Sequence, residues 1–132
     1  MSRNIAEDIA NIELRPTFLS VVDKSGTSTD VIERLNKHRC NTDYILRTND
    51  GLGTWLAVFD HTGELVASIS RRPNLEQLEA LLDERGDEVF SQADSIAVEM
   101  DLDAPLLKRV FALAEKHGKR VYSPVTNMSI AS

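Results

Sequence analysis

Cysteine is almost absent from this sequence of 132 residues, and its scarcity excludes two common supports of small domains. The single cysteine, Cys40, can form neither an intrachain disulfide nor a cysteine-based zinc site. Because no reactive-cysteine motif surrounds Cys40, we expect a buried or partly buried structural thiol. A chain of this length forms one domain and is long enough to bury a hydrophobic core.

Positive charge is also scarce. Fifteen Lys and Arg residues stand against twenty-one Asp and Glu residues, which gives a formal net charge of −6 at pH 7. Nucleic acids and acidic membranes select clusters of Lys and Arg, and nucleic-acid readers often place aromatic residues between them. The one adjacent basic pair that stands out is Arg71-Arg72. We therefore expect no nucleic-acid partner and no acidic-membrane partner.

Long hydrophobic runs are missing as well. No apolar stretch approaches the roughly 20 residues that cross a bilayer as a helix. The first residues lack the apolar segment of a secretory signal peptide. The sequence therefore predicts a cytoplasmic protein without a membrane partner.

Recognisable catalytic motifs are absent too. His38, His61 and His117 have no HExxH or other ligand spacing, so we expect solvated histidines and no metal site. The sequence contains no G-x-S-x-G elbow, no phosphate-binding P-loop and no G-x-G-x-x-G fingerprint. Gly51 and Gly53 lead into a predicted hairpin. Motifs alone therefore indicate no self-contained active site.

The most distinctive stretch that is present, GTWLAVFDHTGELVASIS, predicts a β-hairpin. Two runs of β-branched, aromatic and aliphatic residues, Thr54–Asp60 and Glu64–Ser70, are separated by a short turn that contains Gly63. Alternation along the first run places apolar side chains on both faces, with Trp55, Ala57 and Phe59 on one and Leu56 and Val58 on the other. Each face is expected to need a partner. The hairpin would cover a ligand, form a dimer contact, or serve as a structural edge of a sheet.

Around the hairpin, the hydrophobic pattern predicts helices that alternate with short strands. The expected helices run from Ser2 to about Glu13, from Ser28 or Thr29 to His38, from Leu75 to about Gly86, and from an Asp103 cap to Lys116. The expected strands are Thr17–Val22, Thr42–Arg47, Ser95–Val98 and Lys119–Tyr122. The segments 17–22, 95–98 and 119–122 are predicted to form one parallel sheet, since a strand–helix–strand unit crosses over right-handedly into parallel strands. The fold class is therefore α/β.

Acidic residues follow the strand predicted at Ser95–Val98. Glu99, Asp101 and Asp103 alternate there, at the carboxyl end of a parallel strand. In open α/β sheets, this is the edge at which ligands bind. The alternative is that they are capping and surface carboxylates.

Taken in order, these segments resemble the ribokinase-like (PfkB) sugar kinases. The segments that carry the resemblance are SRNIAE at the start, FLSVV, VIERL, the hairpin stretch, and ADSIAVEMD followed by LAEKHGKRVYSPV. Within that superfamily, the chain is most similar to the pseudouridine and nucleoside kinase group. The resemblance covers nearly the whole chain and is collinear.

The resemblance implies a partial ribokinase-like (Rossmann-like) parallel sheet with flanking helices and an inserted antiparallel β lid hairpin. Residues 1–132 would form a single truncated domain, with the lid at approximately 42–71. Members of this family phosphorylate a hydroxyl of a sugar or nucleoside with ATP, and their lid often also forms a homodimer interface. Asn4 matches an asparagine that binds substrate in the family. Asp101 lies where a further substrate-binding asparagine is expected.

The sequence also departs from the family pattern. Family glycines are replaced by Glu13 and Asp23, and Ser123 stands where an aspartate is expected. The Gly-Ala-Gly-Asp catalytic loop and the ATP site are not among these residues. The resemblance therefore assigns no catalytic, cofactor-binding or metal-binding residue here, although the family uses ATP and magnesium.

Three functions follow as hypotheses. The chain is a truncated or degenerate kinase without independent activity; a non-catalytic binding or regulatory module that uses the hairpin to dimerise or to dock on a full-length kinase; or an active enzyme that a second polypeptide completes or that uses a site without a recognised motif. The resemblance implies a sugar or a nucleoside as the ligand.

Overall fold

The computed structural model describes residues 2–124, which form four helices and six strands. The helices are α1 (Ser2–Asn11), α2 (Gly26–Lys37), α3 (Glu76–Gln92) and α4 (Ala104–Lys116). The strands are β1 (Ser20–Val22), β2 (Ile45–Arg47), β3 (Thr54–Phe59), β4 (Leu65–Arg71), β5 (Ser95–Ala97) and β6 (Arg120–Tyr122). The predicted α/β class and the predicted hairpin are both confirmed.

The strands pair into three separate sheets of two strands each. β1 pairs with β2 and β5 pairs with β6, both in parallel, while β3 and β4 pair in antiparallel register. The parallel pairing of β5 with β6 is as predicted. The prediction that β1 shares a sheet with them is wrong, because within residues 2–124 no ladder of hydrogen bonds joins β1 to β5. A cavity lies between these two strands.

Two apolar clusters hold the elements together. The larger joins α3 and α4 to the strands, and its buried members are Val21, Leu78, Leu82, Phe90, Val98, Leu106, Val110 and Ala114. The smaller packs α1 against α2 through Ala6, Leu35 and Cys40. Through these clusters, the parallel pairs β1–β2 and β5–β6 pack against the helices. No residue of the hairpin belongs to either cluster.

Helix α3 is longer than the sequence indicates. We predicted that it would stop near Gly86, but it continues through that residue to Gln92. Gly86 is buried, and a Cβ there would lie only 2.6 Å from Leu113 Cδ1 on α4. The glycine is therefore a point of close approach between two helices and not a stop signal.

The start of α2 also differs from the prediction. Its N-cap is Ser25, whose side chain accepts a hydrogen bond from the backbone N–H of Ser28. The predicted cap was Ser28 or Thr29, but both lie within the helix, and Ser28 is fully buried. For α4, the predicted cap position Asp103 is confirmed.

Candidate functional site

The carboxyl ends of the parallel strands carry the polar residues of the candidate site. Asp23 follows β1, Thr48 follows β2, and Glu99 and Asp101 lie just beyond β5. Parallel strands that pair side by side end at the same edge, where open α/β sheets bind ligands. The hairpin is inserted between β2 and α3, and it begins directly after this edge.

Asp23 is the most strongly organised of these residues. Its Oδ1 accepts hydrogen bonds from the backbone N–H of Ser25 at 2.9 Å and from the Ser28 hydroxyl at 2.6 Å. The Ser25 hydroxyl also donates to the same oxygen. These bonds, led by the Ser25 hydroxyl, lower the pKa of Asp23 to about 2. A carboxylate bonded in this way stays ionised at any physiological pH.

Titration of Asp23 provides a direct test of this network. Its folded pKa of about 2 lies below the ordinary value of 3.8, so its contribution to stability is present above pH 3.8 and is lost as the pH falls through about 2. In carbon-detected NMR, we expect the carboxyl of Asp23 to titrate near 2. Replacing Ser28 by Ala should raise that pKa, since one donor to the ionised form is lost. An unchanged midpoint in the Ser28→Ala variant would show that the Ser28 hydroxyl does not contribute to the low pKa of Asp23.

Arg47, the last residue of β2, ties the end of that strand to the Asp23 turn. Its guanidinium donates to the backbone carbonyl of Asp23 at 3.4 Å and to the hydroxyl of Thr29 at 3.2 Å. One arginine thus connects β1, β2 and the first turn of α2. The contact fixes the end of β2 against the turn after β1. It uses the backbone carbonyl of Asp23, so the carboxylate stays bonded to Ser25 and Ser28.

At the same edge, the segment that contains Thr48 and Gly51 crosses close to the end of β1. The Thr48 backbone N–H donates to the carbonyl of Val22 at 2.8 Å. Both residues are buried, and a Cβ on Gly51 would lie 2.6 Å from the Val22 oxygen and 2.5 Å from Thr48 Oγ1. Only glycine therefore lets the chain pass this close to the end of β1 on its way to the hairpin.

Asp101 pairs with the arginine that follows the hairpin. Its Oδ1 lies 3.0 Å from a guanidinium nitrogen of Arg72, and both side chains are largely exposed. Because exposed pairs contribute little to stability, the importance of this contact is geometric. It joins the foot of the hairpin to the loop after β5, so Asp101 lies beside the foot of the hairpin.

The structure does not join the two predicted substrate-binding residues to each other. Asn4 lies exposed in the first turn of α1, where its side-chain oxygen accepts hydrogen bonds from Arg3 at 2.6 and 3.2 Å. Within residues 2–124, no hydrogen bond or ion pair links Asn4 to Asp101. Their roles in binding stay predictions.

The hairpin is exposed on both faces. On one face, Leu56 lies opposite Ile69 and Val58 opposite Ala67, so the face is apolar throughout its middle. The side chains of Leu56, Val58 and Ile69 are 62%, 52% and 72% exposed. On the other face, Trp55 lies opposite Ser70. A shift of register between Val58 and Phe59 marks a bulge near the turn.

The remaining sequence candidates hold ordinary surface or core positions. Cys40 is buried as predicted, and burial, with Glu7 nearby, raises the pKa of its thiol. His38 contacts Asn11 at 3.0 Å and His117 contacts Asp87 at 2.8 Å. In the described part of the chain, no group of three or more His, Cys, Asp or Glu side chains could hold a metal ion.

Between residues 2 and 124, no helix is both long enough and apolar enough to cross a membrane.

Sequence reasoning missed the network around Asp23 and the pair of Arg72 with Asp101. The first had a local signal, since Asp23, Ser25 and Ser28 have the spacing of a helix start with an acceptor in front. The second joins residues 29 positions apart. A single sequence carries no signal for such a contact.

Comparison with known proteins points to one group of enzymes. No model of a known protein family matches the chain. A guanosine-inosine kinase from Exiguobacterium acetylicum is 28% identical over 129 residues, which are 97% of this chain and 43% of that protein.

Solved structures agree with this match. The fructokinase from Xylella fastidiosa superposes with a TM-score of 0.77 at 16% identity, covering 97% of this chain and 41% of its own. The ribokinase from Giardia lamblia superposes with a TM-score of 0.67 at 11% identity, covering 92% and 39%. The chain thus spans about two fifths of the proteins it matches. It has a ribokinase-like fold, and its neighbours in sequence and structure are kinases of the ribokinase/PfkB family.

Proposed function

We propose that this chain is the substrate-binding and lid-bearing part of a kinase that acts on a sugar or nucleoside hydroxyl, and that its 132 residues alone transfer no phosphate. The observation that carries the proposal is the collinear match to a guanosine-inosine kinase across 97% of the chain. The likeness to fructokinase and ribokinase supports the fold on which that activity would rest.

The proposed ligand site is the carboxyl edge of the parallel strands beneath the hairpin. Sugar hydroxyls donate to carboxylates and both donate to and accept from side-chain amides. Asp101, held by Arg72, would accept hydrogen bonds from the ligand hydroxyls. The side-chain amide of Asn4 would both donate and accept hydrogen bonds. The hairpin would close over the ligand and exclude water.

Phosphoryl transfer depends on positioning the phosphates and neutralising their charge. In residues 2–124 we find no cluster of metal ligands, and the sequence has no glycine-rich phosphate loop. The resemblance assigns the catalytic base to a loop that these 132 residues do not include. We therefore propose ligand binding without turnover for this chain by itself.

Calorimetry with guanosine, inosine and fructose, run beside an ATP turnover assay, tests the proposal. We expect saturable binding of at least one ligand and no phosphate transfer above background. Replacing Asp101 by Ala should weaken binding about tenfold to a hundredfold, because the variant loses the carboxylate and hydrogen bonds to charged groups contribute about 1.5–3 kcal/mol.

Asp43→Ala is the matched control, since Asp43 is exposed in the turn before β2, at the opposite end of that strand. It should leave the affinity unchanged. A saturable kinase rate from pure protein would overturn the claim of inactivity, and the absence of any binding would overturn the ligand site.

A second candidate function is a non-catalytic module that forms a homodimer through the hairpin. The observation that favours it is the exposed apolar face of Leu56, Val58 and Ile69, because large exposed apolar patches mark interaction surfaces. Dimerisation is compatible with ligand binding, so both proposals can hold together.

A further inference from the structure

Glu7 is a buried carboxylate that the proposed ligand site does not use. It lies on α1 and is only 6% exposed, and its neighbour Ala6 belongs to the cluster that packs α1 against α2. Charged side chains are almost never buried this far unless they are paired. The partners of Glu7 therefore show what the carboxylate holds in place.

Two arginines from different helices pair with this carboxylate. The Nε atom of Arg34, on α2, lies 2.9 Å from Glu7 Oε1, and the Nε atom of Arg3, on α1, lies 3.6 Å from the same oxygen. Across residues 2–124, that oxygen accepts no hydrogen bond of normal geometry, so both contacts are charge pairs. Because the carboxylate is shielded from water, its attraction for each guanidinium is stronger than it would be between fully exposed groups.

Arg3 connects the buried carboxylate to Asn4. Its Nε and Nη2 donate hydrogen bonds to Asn4 Oδ1 at 3.2 and 2.6 Å. The same Nε atom therefore lies within reach of the Glu7 carboxylate and of the Asn4 amide oxygen. Asn4 itself is exposed, and an exposed side chain without such a contact exchanges among several rotamers. The chain of contacts thus runs from the α1–α2 interface to a side chain on the surface.

We propose that Glu7 is a positioning residue for ligand binding, because it fixes Arg3, which holds the Asn4 side chain in one orientation before the ligand arrives. The inference rests on the proposed function, in which Asn4 contacts the ligand. A side chain that is already ordered loses less rotamer freedom on binding, so its hydrogen bonds contribute more to the affinity. Arg34 holds the carboxylate from α2, which makes the orientation of Asn4 dependent on the packing of two helices.

The alternative is that Glu7 only joins α1 to α2. The two helices have other contacts, since they share an apolar cluster and His38 lies 3.0 Å from Asn11 at the end of α1. These contacts do not involve the carboxylate. Loss of its charge should therefore act first on Arg3 and Asn4, and a role limited to joining the helices should leave the Asn4 side chain unchanged.

Calorimetry with guanosine, inosine and fructose tests the role in binding. Glu7→Gln keeps the size of the side chain and removes its charge, so it should weaken binding about twofold to tenfold, the usual effect of one neutral hydrogen bond. In an Asn4→Ala background, Glu7→Gln should weaken binding no further, because the side chain that it positions is gone. Asp8→Asn is the matched control, since Asp8 is the next residue of α1, is exposed and loses the same charge. It should leave the affinity unchanged.

NMR relaxation of the protein without ligand provides a readout that does not depend on the proposed function. We expect the side-chain amide nitrogen of Asn4 to be ordered on the picosecond to nanosecond timescale in the wild type and in Asp8→Asn, and mobile in Glu7→Gln. If Glu7→Gln fails to fold, Arg3→Gln breaks the same chain of contacts at a partly exposed position and should mobilise the Asn4 amide equally.

Two results would overturn the inference. One is an Asn4 amide that is equally ordered with and without the Glu7 charge. The other is a loss of affinity in Glu7→Gln that persists in the Asn4→Ala background, which would assign Glu7 a structural role. The failure of the proposed function is a different result: the wild type would bind none of the three compounds, while the Asn4 amide would still respond to Glu7→Gln.

Discussion

Replacing Ile69 by Asp should convert the protein from a dimer to a monomer in light scattering at micromolar concentration. Ile69 is 72% exposed and lies opposite Leu56, in the apolar middle of one face of the hairpin. A two-fold axis would bring two copies of this face together. Burying one such side chain contributes about 1.5–3 kcal/mol, so the two copies lose about 3–6 kcal/mol, or roughly 10²–10⁴-fold in Kd.

Ser68→Asp is the matched control for this experiment. Ser68 is the preceding residue on the same strand, is also exposed, and lies opposite Ala57 on the other face. The new charge is identical, so a general effect of charge on the hairpin would appear in both variants. If Ser68→Asp dissociates the dimer and Ile69→Asp does not, the interface uses the face of Trp55. A wild-type monomer would remove the dimer proposal.

The hairpin could be predicted because its information is local. Alternation, β-branched residues and a glycine turn all lie within about 18 consecutive residues, and they specify an antiparallel pair without reference to the rest of the chain. The structure moves the strand ends by only a residue, to Thr54–Phe59 and Leu65–Arg71. The bulge near Val58 was not predicted, since a register shift depends on how the two strands meet.

The neighbours of each parallel strand could not be predicted in the same way. The run at 17–22 reads as a buried strand, but an apolar run does not specify which strand lies beside it. β1 pairs with β2, and across residues 2–124 it pairs with neither β5 nor β6, so the expected single sheet is divided. Gly86 shows the same limit for helices, because its role depends on Leu113 of another helix.

The candidate site shows the same difference between local sequence signals and contacts that depend on the fold. The sequence itself places Glu99, Asp101 and Asp103 after a predicted strand, and the expectation that a ligand binds there comes from the general location of ligands in α/β sheets. The partner of Asp101, Arg72, and the serine donors around Asp23 became known only from the fold. The substrate roles of Asn4 and Asp101 rest on the family resemblance and await the binding measurements.

Gly51→Ala should destabilise the protein by about 1–3 kcal/mol, the usual cost of forcing extra volume into a packed site. The added Cβ would lie 2.6 Å from the backbone oxygen of Val22 and 2.5 Å from Thr48 Oγ1. The threonine side chain can rotate, but the Val22 carbonyl already accepts the Thr48 N–H and cannot withdraw without breaking that bond. Because this crossing leads the chain from β2 into the hairpin, the variant should also weaken ligand binding at the carboxyl edge.

Urea unfolding of two further variants isolates the cause. Gly26→Ala is the control, because a Cβ at Gly26 meets no atom within 4 Å and the residue begins α2. It should be neutral or stabilising by up to about 1 kcal/mol. The double variant Gly51→Ala with Thr48→Ala removes the hydroxyl contact and leaves the Val22 contact. If the backbone contact dominates, Thr48→Ala recovers little of the lost stability, whereas full recovery would assign the clash to the threonine.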